Sequence, residues 1–481
     1  MASTCNKSFS SNYMLLKPED AGFLDLAKML FSSDLGKRKF IDCPEGAREP
    51  FGRRWIIFIS VMVQKLLQAT AKPMASFGSG VENWLNLLSG NGGFFGLVMN
   101  ALKGTNEHIM KSSTSRQNIG KFLSFIGNID KRLELDSNIS HGDKRYFAAL
   151  SVMASKASYE NQKYIESIVQ DHWKGKLINI LHFSADYQEK ATTQAFVLED
   201  KNDVIVVAFR GTEPFDADAW SSDFDLSWYE LPGAGKIHGG FMKALGLQKN
   251  QGWPQEQDDN KPDTAYYAIR KLLKERLQKS DNAKFIVTGH SLGGALAALF
   301  PTILSLHEES WLLDRLEGVY TFGQPRVGDE VFGQYMKNII EKHNINFYRF
   351  VYSYDLVPRL PYDDKTLMFK HFGTCIYYNS LYEGKVVAEE PDKNYFSLIW
   401  LIPKLINACW ELIRSFIIGY TKGADYKEGG LLRMFRVMGI LAAGVPNHCP
   451  QDYVNATRLG SADVFNSSVL GSNHHKILKM Q

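Results

Sequence analysis

The segment Lys284–Leu299, which reads K-F-I-V-T-G-H-S-L-G-G-A-L-A-A-L, most strongly limits the folds open to this chain. A β-prone run leads into a Gly-x-Ser-x-Gly turn at Gly289–Gly293, and a helical pattern starts at Ala295. The two glycines let strand and helix approach closely, while the serine between them takes a strained backbone conformation. In this strand–turn–helix context the motif predicts that Ser291 is a nucleophile at a helix N-terminus. The simpler alternative is an ordinary Gly/Ser loop, because a five-residue match also occurs by chance.

Strands and helices alternate on both sides of this segment. We predict strands at Gln194–Leu198, Val204–Phe209, Gly318–Phe322 and Phe347–Tyr352, and helices at Tyr146–Lys156, Asn161–Trp173, Tyr266–Lys279 and Val331–His343. Such alternation is typical of an α/β fold with a mostly parallel central sheet and crossover helices. With 481 residues and 44% hydrophobic content, the chain can hold a large α/β domain and one or two appended segments.

Composition excludes several classes of function. The net charge of +3 gives no sign of nucleic-acid binding. The five cysteines are odd in number and scattered, which favours a reducing compartment over a disulfide framework or a zinc site. Residues 1–20 lack the charged and apolar regions of a secretory signal. Because no metal-binding cluster and no glycine-rich phosphate loop stand out, we expect chemistry that needs neither metal nor cofactor.

Residues 1–115 form the first predicted region, which combines polar and apolar stretches. Trp55–Ala69 is too short and too polar to span a bilayer, but its polar residues share one helical face: Ser60, Gln64 and Gln68. With basic residues on either side, this pattern fits a helix in a lipid interface or, equally, an ordinary helix packed on the main domain. Leu85–Leu102 is apolar but broken by glycines, which favours either a membrane-contacting loop or a buried connection.

The second predicted region, residues 116–460, is the catalytic domain, and it contains an amphipathic insertion at residues 394–443. In Asn394–Tyr420, polar residues at spacings of three and four share one helical face: Lys404, Asn407, Glu411 and Arg414. The opposite face is apolar and aromatic, and Leu431–Ala443 repeats the pattern more weakly. This pattern predicts an interfacial helix in contact with lipid, and the alternative is a buried insertion with one solvated stripe. Residues 461–481 form a polar tail.

A serine nucleophile needs an imidazole base, and the imidazole needs a carboxylate that fixes its tautomer. In the α/β-hydrolase order the acid follows the serine and the histidine comes last. Asp355 is the best candidate for the acid because it follows the strand Phe347–Tyr352, where such folds place active-site groups. The other candidates resemble turn or helix-capping residues: Asp329, Asp363 and Asp364.

The candidates for the base are the histidines that follow Asp355: His371, His448, His474 and His475. The last two lie in the polar tail, and His371 begins the run H-F-G-T-C-I-Y-Y, which favours a structural role. His448 lies in a loop late in the chain and is preferred by its position. His238, in I-H-G-G-F, is interpreted as structural.

The oxyanion of an acyl-transfer intermediate needs two N–H donors. One is expected to be the backbone N–H of Leu292, the residue after the nucleophile. The other should lie where an earlier strand meets its loop, and Thr212 suits this role with its N–H and its hydroxyl. The loop after Thr212 is interpreted as either a mobile cover over the serine or a packed cap, because it is rich in aromatic residues: Phe215, Trp220, Phe224, Trp228 and Tyr229.

Further motifs occur in one order along the chain: V-A-F-R-G-T, I-H-G-G-F, V-T-G-H-S-L-G-G-A-L-A, F-G-Q-P-R-V-G and D-L-V-P-R-L-P. Together they resemble the class 3 (fungal-type) lipases over residues 180–460. The stretch F-D-A-D-A-W-S-S-D-F-D-L-S-W-Y-E-L-P and the apolar N-terminal region are most similar to the plant oil-body triacylglycerol lipases. The resemblance implies an α/β-hydrolase fold, a catalytic triad and an oxyanion hole, at these positions: Ser291, Asp355 and His448, with Thr212 and Leu292.

The resemblance also implies a serine carboxylester hydrolase that cleaves triacylglycerol at a lipid-droplet (oil-body) or membrane surface, on its cytosolic face. The chain departs from compact fungal lipases in the long gap between Asp355 and His448, which the insertion 394–443 fills. The sequence leaves open whether this insertion or the loop after Thr212 is a lid, and it leaves acyl-chain preference and oligomeric state open. The alternatives are a phospholipase A1 or galactolipase, a soluble small-ester esterase and a catalytically silent lipase-like scaffold.

Overall fold

The computed structural model describes residue 10 and residues 12–104, 122–185, 190–248, 251–257, 263–363 and 368–465. Its strands are β1 (Tyr13–Leu16), β2 (Ile41–Asp42), β3 (Lys176–Ala185), β4 (Lys190–Glu199), β5 (Val204–Phe209), β6 (Trp228–Leu231), β7 (Gly235–His238), β8 (Lys284–His290), β9 (Leu316–Phe322), β10 (Asn346–Tyr352), β11 (Thr374–Tyr378) and β12 (Gly384–Val387). They form an eight-stranded sheet in the order β12-β11-β10-β9-β8-β5-β4-β3 and a four-stranded sheet in the order β2-β1-β6-β7.

The α-helices pack on these sheets and fill the connections between strands. They are α1 (Phe23–Phe31), α2 (Phe51–Gly90), α3 (Phe94–Leu102), α4 (Phe125–Ile129), α5 (Tyr146–Ala157), α6 (Gln162–Ser167), α7 (Ala217–Phe224), α8 (Gly239–Leu245), α9 (Ala265–Leu277), α10 (Leu292–Leu306), α11 (Ser310–Arg315), α12 (Glu330–Lys342), α13 (Leu401–Thr421), α14 (Gly430–Leu441) and α15 (Pro450–Leu459). None of the described helices is both long and apolar enough to cross a bilayer.

The large sheet is parallel at its centre, which confirms the predicted α/β-hydrolase fold. Strands β5, β8, β9, β10 and β11 run parallel to one another, while β3, β4 and β12 pair antiparallel at the two edges. Helices cover both faces, so every side chain of β5 is buried. The carboxyl ends of β5, β8 and β10 therefore meet at one edge of the sheet.

The apolar stretch Leu85–Leu102 is helical on both sides of a short break, so its interpretation as a loop is wrong. Helix α2 continues to Gly90, and α3 begins at Phe94. Gly92 and Gly93 adopt positive φ angles of 74° and 92° between them, a conformation that favours glycine. The glycines thus reverse the chain at one point and do not unwind the whole segment.

The N-terminal region is built into the catalytic domain. Strand β1 pairs antiparallel with β6, which follows the aromatic segment after Thr212. The polar face of α2 points inward, since Ser60 and Gln64 are buried and the Ser60 hydroxyl donates to the carbonyl oxygen of Phe224 at 2.6 Å. Of the two interpretations of this helix, packing on the domain is thus correct for Ser60 and Gln64, whereas Gln68 of the same predicted face is exposed. Apolar residues also lie outside: Leu66, Phe77 and Trp84.

The amphipathic insertion is arranged like α2, with its polar face toward the protein and its apolar face outward. Its predicted polar stripe is buried rather than solvated, because Lys404, Glu411 and Arg414 face inward. Lys404 and Arg414 pair with carboxylates outside the insertion, and Glu411 pairs with Arg436 within it. The alternative of a buried insertion with a solvated polar stripe is therefore wrong. Its apolar residues face outward instead, with Leu398 84%, Ile399 85% and Leu441 94% exposed. Exposed apolar surface of this extent marks an interaction site.

Candidate active site

Ser291 occupies a sharp turn between β8 and α10, as the sequence pattern predicts. Its φ and ψ angles of 58° and −129° lie far from both strand and helix values, which is the strain expected at such a turn. Its N–H donates to the carbonyl oxygen of Phe322 at 2.9 Å, which holds the turn against β9. A side chain at Gly293 would come within 2.3 Å of the Phe209 carbonyl oxygen, so only glycine lets the helix approach β5 here.

Asp355 and His448 meet beside this turn. His448 Nδ1 lies 2.8 Å from Asp355 Oδ2, and the carboxyl group is fully buried. Because the carboxylate accepts this bond, Nε2 carries the lone pair, and it is buried without a partner among the described residues. Gly323, with a φ of 60°, lies under the pair; a Cβ there would meet His448 Nδ1 and Asp355 Oδ2 at 2.9 Å each.

The Asp355 carboxylate is held by further contacts. The Tyr453 hydroxyl donates to its Oδ2 at 2.5 Å, and the Val357 N–H donates to its Oδ1 at 2.9 Å. The Arg359 guanidinium donates to the backbone carbonyl oxygens of Asp355 and, at 2.9 Å, of Ser353. These contacts fix both the carboxylate and the backbone of the loop that carries it.

A second histidine supports the backbone of His448. His290 Nε2 donates to the carbonyl oxygen of His448 at 2.8 Å, since a carbonyl oxygen only accepts. Burial lowers the pKa of His290 well below its usual value, so the ring is neutral and Nδ1 is an acceptor. The Tyr159 hydroxyl therefore donates to Nδ1 at 2.8 Å. The rings of His290 and His448 lie 4.5 Å apart, which sets the candidate base directly over the residue that precedes Ser291.

Thr212 and Leu292 lie on neighbouring loops at the same edge of the sheet. Phe209 of β5 pairs with Gly289 of β8. Thr212 follows Phe209 by as many residues as Leu292 follows Gly289. The Leu292 N–H belongs to the first turn of α10, where N–H groups have no partner within the helix. A Cβ at Gly211 would meet the His290 carbonyl oxygen at 2.5 Å, so the chain just before Thr212 passes beside the residue that precedes Ser291.

The Thr212 hydroxyl has a different role from the one expected for it. It donates to Asp223 Oδ2 on α7 at 2.7 Å, so its proton is not available to an oxyanion in this structure. Burial raises the pKa of Asp223 to about 7, and the hydrogen bond from Thr212 opposes that shift. The hydroxyl therefore ties the candidate oxyanion loop to α7, and only the backbone N–H of Thr212 is left as a donor.

The competing acids and bases lie in structural positions. Asp329 caps α12 by accepting the Phe332 N–H at 2.9 Å, and Asp363 accepts from Lys393 at 2.8 Å. His371 is buried 2.6 Å from the carbonyl oxygen of Pro358. His238 caps α8 and stacks on an aromatic ring, and burial lowers its pKa to about 4. The remaining candidates lie outside the described residues: Asp364, His474 and His475.

The aromatic segment after Thr212 is largely a packed cap in this structure. Trp228 and Tyr229 are buried in β6, and α7 packs against α2 and α8. Phe215 contacts the rings of Phe77 and Phe125 at centroid distances of 5.7 Å and 5.4 Å. One apolar cluster around α4 joins four parts of the chain. They are α2 with Val81 and Leu85, α14 with Leu432, the aromatic segment with Phe215, and Cys449, which follows His448. Both amphipathic segments thus reach the candidate site.

Comparison with known proteins identifies the family. The profile of the family Lipase (class 3) matches residues 206–365. A triacylglycerol lipase OBL1 from Arabidopsis thaliana is 41% identical, over 94% of this chain and 95% of that protein. This chain belongs to the class 3 lipase family. A triacylglycerol lipase OBL1 from Ricinus communis is 37% identical over 94% of this lipase and 96% of its own length.

A solved structure of lipase II from Rhizopus niveus is also similar to this lipase. It is 25% identical, covers 49% of this chain and 80% of its own chain, and superposes with a TM-score of 0.35. As a class 3 lipase, the protein is a serine ester hydrolase.

Several residues that shape this lipase site were not singled out as site residues from the sequence. Arg359 lies in the motif D-L-V-P-R-L-P, and its place in the loop that begins at Asp355 was a signal, since a buried arginine needs carbonyl or carboxylate partners. Gly323 lies in F-G-Q-P-R-V-G and Asp223 in the aromatic segment. Tyr159 lies outside all of the motifs, so no local pattern pointed to it.

Replacing Thr212 by valine is expected to lower kcat about ten- to hundred-fold, because the loop that carries one oxyanion donor loses its bond to Asp223. Asp223→Asn keeps an acceptor oxygen for the hydroxyl and should retain most of the activity. The measurement is kcat for p-nitrophenyl butyrate, a soluble ester. Equal losses in both variants would show that the charge of Asp223, and not its bond to Thr212, is what matters.

Proposed function

We propose that this lipase hydrolyses triacylglycerol at the surface of a lipid droplet (oil body), with Ser291, His448 and Asp355 as its catalytic triad. The observation that supports the proposal is the hydrogen bond of 2.8 Å between His448 Nδ1 and Asp355 Oδ2, beside the strained turn of Ser291. A neutral imidazole with an unpartnered, buried Nε2 is the acceptor that a serine proton needs.

In the acylation step, Ser291 Oγ attacks the ester carbonyl carbon while His448 Nε2 takes the hydroxyl proton. The carbonyl π electrons move to oxygen, and the N–H groups of Thr212 and Leu292 stabilise the resulting oxyanion. When the oxyanion collapses, the bond to the glyceryl oxygen breaks and His448 gives its proton to that leaving alcohol. Asp355 stabilises the imidazolium in between and keeps Nδ1 protonated.

In the deacylation step, water takes the place of the alcohol. His448 removes one proton from the water as it attacks the acyl-enzyme, and a second oxyanion forms at the same donors. Collapse releases the fatty acid and returns the proton to Ser291 Oγ. No metal or cofactor enters either step, because the bond that breaks is an ester bond and the protein groups supply the base, the nucleophile and the oxyanion donors.

The proposed substrate is a neutral glycerolipid presented on a lipid surface. The relatives that match this lipase over nearly its full length are named triacylglycerol lipases. In this lipase itself, the proposed substrate is supported by the exposed apolar surface of residues 398–441, which we call the lipid-facing surface. It includes these residues: Leu398, Ile399, Ile402, Ile406, Phe416 and Leu441. A soluble small-ester esterase would have no use for exposed apolar surface of this extent next to its active site.

We further propose that residues 1–115 and the insertion 394–443 dock the catalytic domain, residues 116–460, on the lipid surface. Helices α2 and α14 meet at the cluster around α4, so their exposed apolar residues flank the site on two sides. The arginines in the first turn of α2 are not a lipid contact, because the Arg53 guanidinium pairs with Glu49 and that of Arg54 donates to the carbonyl oxygens of Met29 and Leu30. Docking then depends on apolar burial.

Removing apolar side chains from the lipid-facing surface is expected to weaken docking. In a variant with four serines, at Leu398, Ile399, Ile402 and Ile406, the fraction that floats with triolein droplets should fall about ten-fold or more, since each buried aliphatic side chain contributes about 1.5–3 kcal/mol. Hydrolysis of soluble p-nitrophenyl butyrate should stay within about two-fold, because exposed positions contribute little to folding.

The matched control for this variant carries serine at Val331 and Leu381, which are exposed apolar residues outside both amphipathic segments. It should float like the wild type. Flotation that is equally strong in all three proteins would rule out the insertion as a docking surface. Point variants are preferable to deletion of residues 1–115, because β1 and α2 are packed into the domain and their loss would unfold it.

A phospholipase A1 or galactolipase is the alternative, since the same triad cleaves any accessible acyl ester. Initial rates on triolein droplets and on phosphatidylcholine vesicles of equal lipid surface area separate the two. We expect faster fatty-acid release from the droplets. Faster release from the vesicles would overturn the proposed substrate while leaving the proposed triad in place.

A further inference from the structure

Glu411 is the centre of a buried polar cluster between the insertion and the catalytic domain. Its side chain belongs to α13 and is 2% exposed. Its Oε1 accepts from Asn447 Nδ2 at 2.6 Å, from the Tyr352 hydroxyl at 3.0 Å and from Asn407 Nδ2 at 3.1 Å. Its Oε2 lies 3.2 Å from Arg436 Nη1 on α14. The carboxylate therefore has a partner on every side.

Two of these partners are neighbours of the proposed triad. Asn447 directly precedes His448 in a short 3-10 turn. Tyr352 is the last residue of β10, and its backbone N–H donates to the Tyr453 hydroxyl at 3.3 Å. That hydroxyl in turn donates to Asp355, as described above. One carboxylate on the insertion thus touches both the segment of the proposed base and the strand that leads to the proposed acid.

Two arginines and three carboxylates are paired with one another in the cluster. Arg436 lies 2.8 Å and Arg414 lies 3.0 Å from the carboxylate of Asp452, which precedes Tyr453 on α15. Glu428 also pairs with both arginines, at 3.1 Å and 3.6 Å. Burial raises the pKa of Glu411 and both arginines oppose that shift. Buried charges of this kind are tolerated only in fixed geometry, with each one paired.

We propose that Glu411 is a positioning residue for His448, so that the insertion helices are part of the catalytic machinery and not a detachable lipid anchor. This inference deepens the proposed function and rests on it. The Asn447 amide donates a short hydrogen bond to a buried carboxylate, which fixes its side chain, and Asn447 fixes the turn that sets the direction of the imidazole. A base that is displaced by about 1 Å loses much of its rate.

The same helix has two functions on opposite faces. Glu411 and Arg414 face the catalytic domain, whereas Ile402, Ile406 and Phe416 of the lipid-facing surface point outward. An insertion that served only to bind lipid would have no need of an ion network against the segments of the base and the acid. The arrangement accounts for both halves of the amphipathic pattern in α13.

The test is a double-mutant cycle in the full-length protein. Asn447→Ala removes the donor, and Glu411→Gln cannot accept from Arg436 and Asn447 at once, because one end of the amide is a donor. Each change should lower kcat for p-nitrophenyl butyrate and the rate of fluorophosphonate labelling about ten-fold, with KM unchanged. The double variant should be no slower than the slower single variant, because both changes break one contact.

The matched control is Glu428→Gln. Glu428 pairs with Arg436, as Glu411 does, and also with Arg414, but it bonds to neither Asn447 nor Tyr352 in the described part of the chain. The Glu428→Gln variant should have a melting temperature as low as that of Glu411→Gln, while kcat of the folded protein stays near the wild-type value. Equal losses of kcat in the two glutamine variants, or losses that multiply in the double variant, would overturn the positioning role.

The wild-type arm of the experiment separates this inference from the proposed function. If the wild-type protein is not labelled at Ser291, the proposed triad itself is wrong. If it is labelled and Asn447→Ala reacts at the wild-type rate, the triad stands and the inference is wrong. Should Glu411→Gln fail to fold, Asn447→Ala alone still decides between these outcomes, because alanine leaves Glu411 with its other partners.

Discussion

Replacing Ser291 by alanine is expected to lower the hydrolysis of emulsified triolein by on the order of a million-fold. The substitution removes the attacking oxygen and leaves the oxyanion donors in place, so only their residual effect on water attack is left. Stability should change little, because the Ser291 N–H, and not its side chain, makes the bond to Phe322 that holds the turn. Titration of released fatty acid measures the activity, and thermal unfolding measures the stability.

Ser305→Ala is the control, because Ser305 lies near the end of the same helix and its hydroxyl accepts from Tyr335. It should hydrolyse triolein at the wild-type rate. Substantial hydrolysis by folded Ser291→Ala, at a level above that of a mock preparation, would remove Ser291 from the mechanism.

Asp355→Asn has the second largest expected effect, a loss in kcat of about 10⁴-fold. If the amide nitrogen replaces Oδ2, it presents a donor toward His448 Nδ1 and the Tyr453 hydroxyl loses its acceptor, so the imidazole takes the wrong tautomer. If it replaces Oδ1, it faces the Val357 N–H, which is also a donor. The charge that stabilises the imidazolium is lost as well. Hydrolysis of p-nitrophenyl butyrate measures this effect without any contribution from lipid docking.

Asp363→Asn is the matched control for the acid, since Asp363 follows the same strand but pairs with Lys393 in a turn. It should retain kcat within about two-fold, because Asp363 bonds to no triad residue and its partner Lys393 is 44% exposed to solvent, which weakens the ion pair. The opposite pattern, with activity lost in Asp363→Asn and kept in Asp355→Asn, would reassign the acid of the triad.

Local patterns predicted the centre of the fold and the elements of the candidate site. The turn at Ser291 could be predicted because the strand, the glycines and the helix that determine its conformation lie within a few residues of one another. The position of Asp355 follows from the rule that active-site loops extend from the carboxyl ends of parallel strands. His448 was preferred only by its late position, and the family resemblance strengthened that choice, because a histidine in a late loop has no local signature.

The orientation of the amphipathic segments could not be predicted in the same way. Periodicity shows that α13 has a polar and an apolar face, but it does not show which face is turned toward the protein. That choice depends on charges far away in the chain: Arg436 on α14 and Asp452 on α15 give Glu411 and Arg414 their buried partners. The pairing of β1 with β6 is equally non-local. The bond between Thr212 and Asp223 likewise depends on the fold of α7.

The most direct test of the central claim is to identify the residue that a fluorophosphonate modifies. The full-length protein is treated with the probe until triolein hydrolysis stops, and the modified peptide is sequenced by mass spectrometry. We predict one phosphonyl group per chain, on the hydroxyl of Ser291, and slower labelling in Asp355→Asn, since attack on phosphorus needs the same base and oxyanion donors. Complete loss of activity with the label on another residue, or full activity with Ser291 modified, would contradict the account.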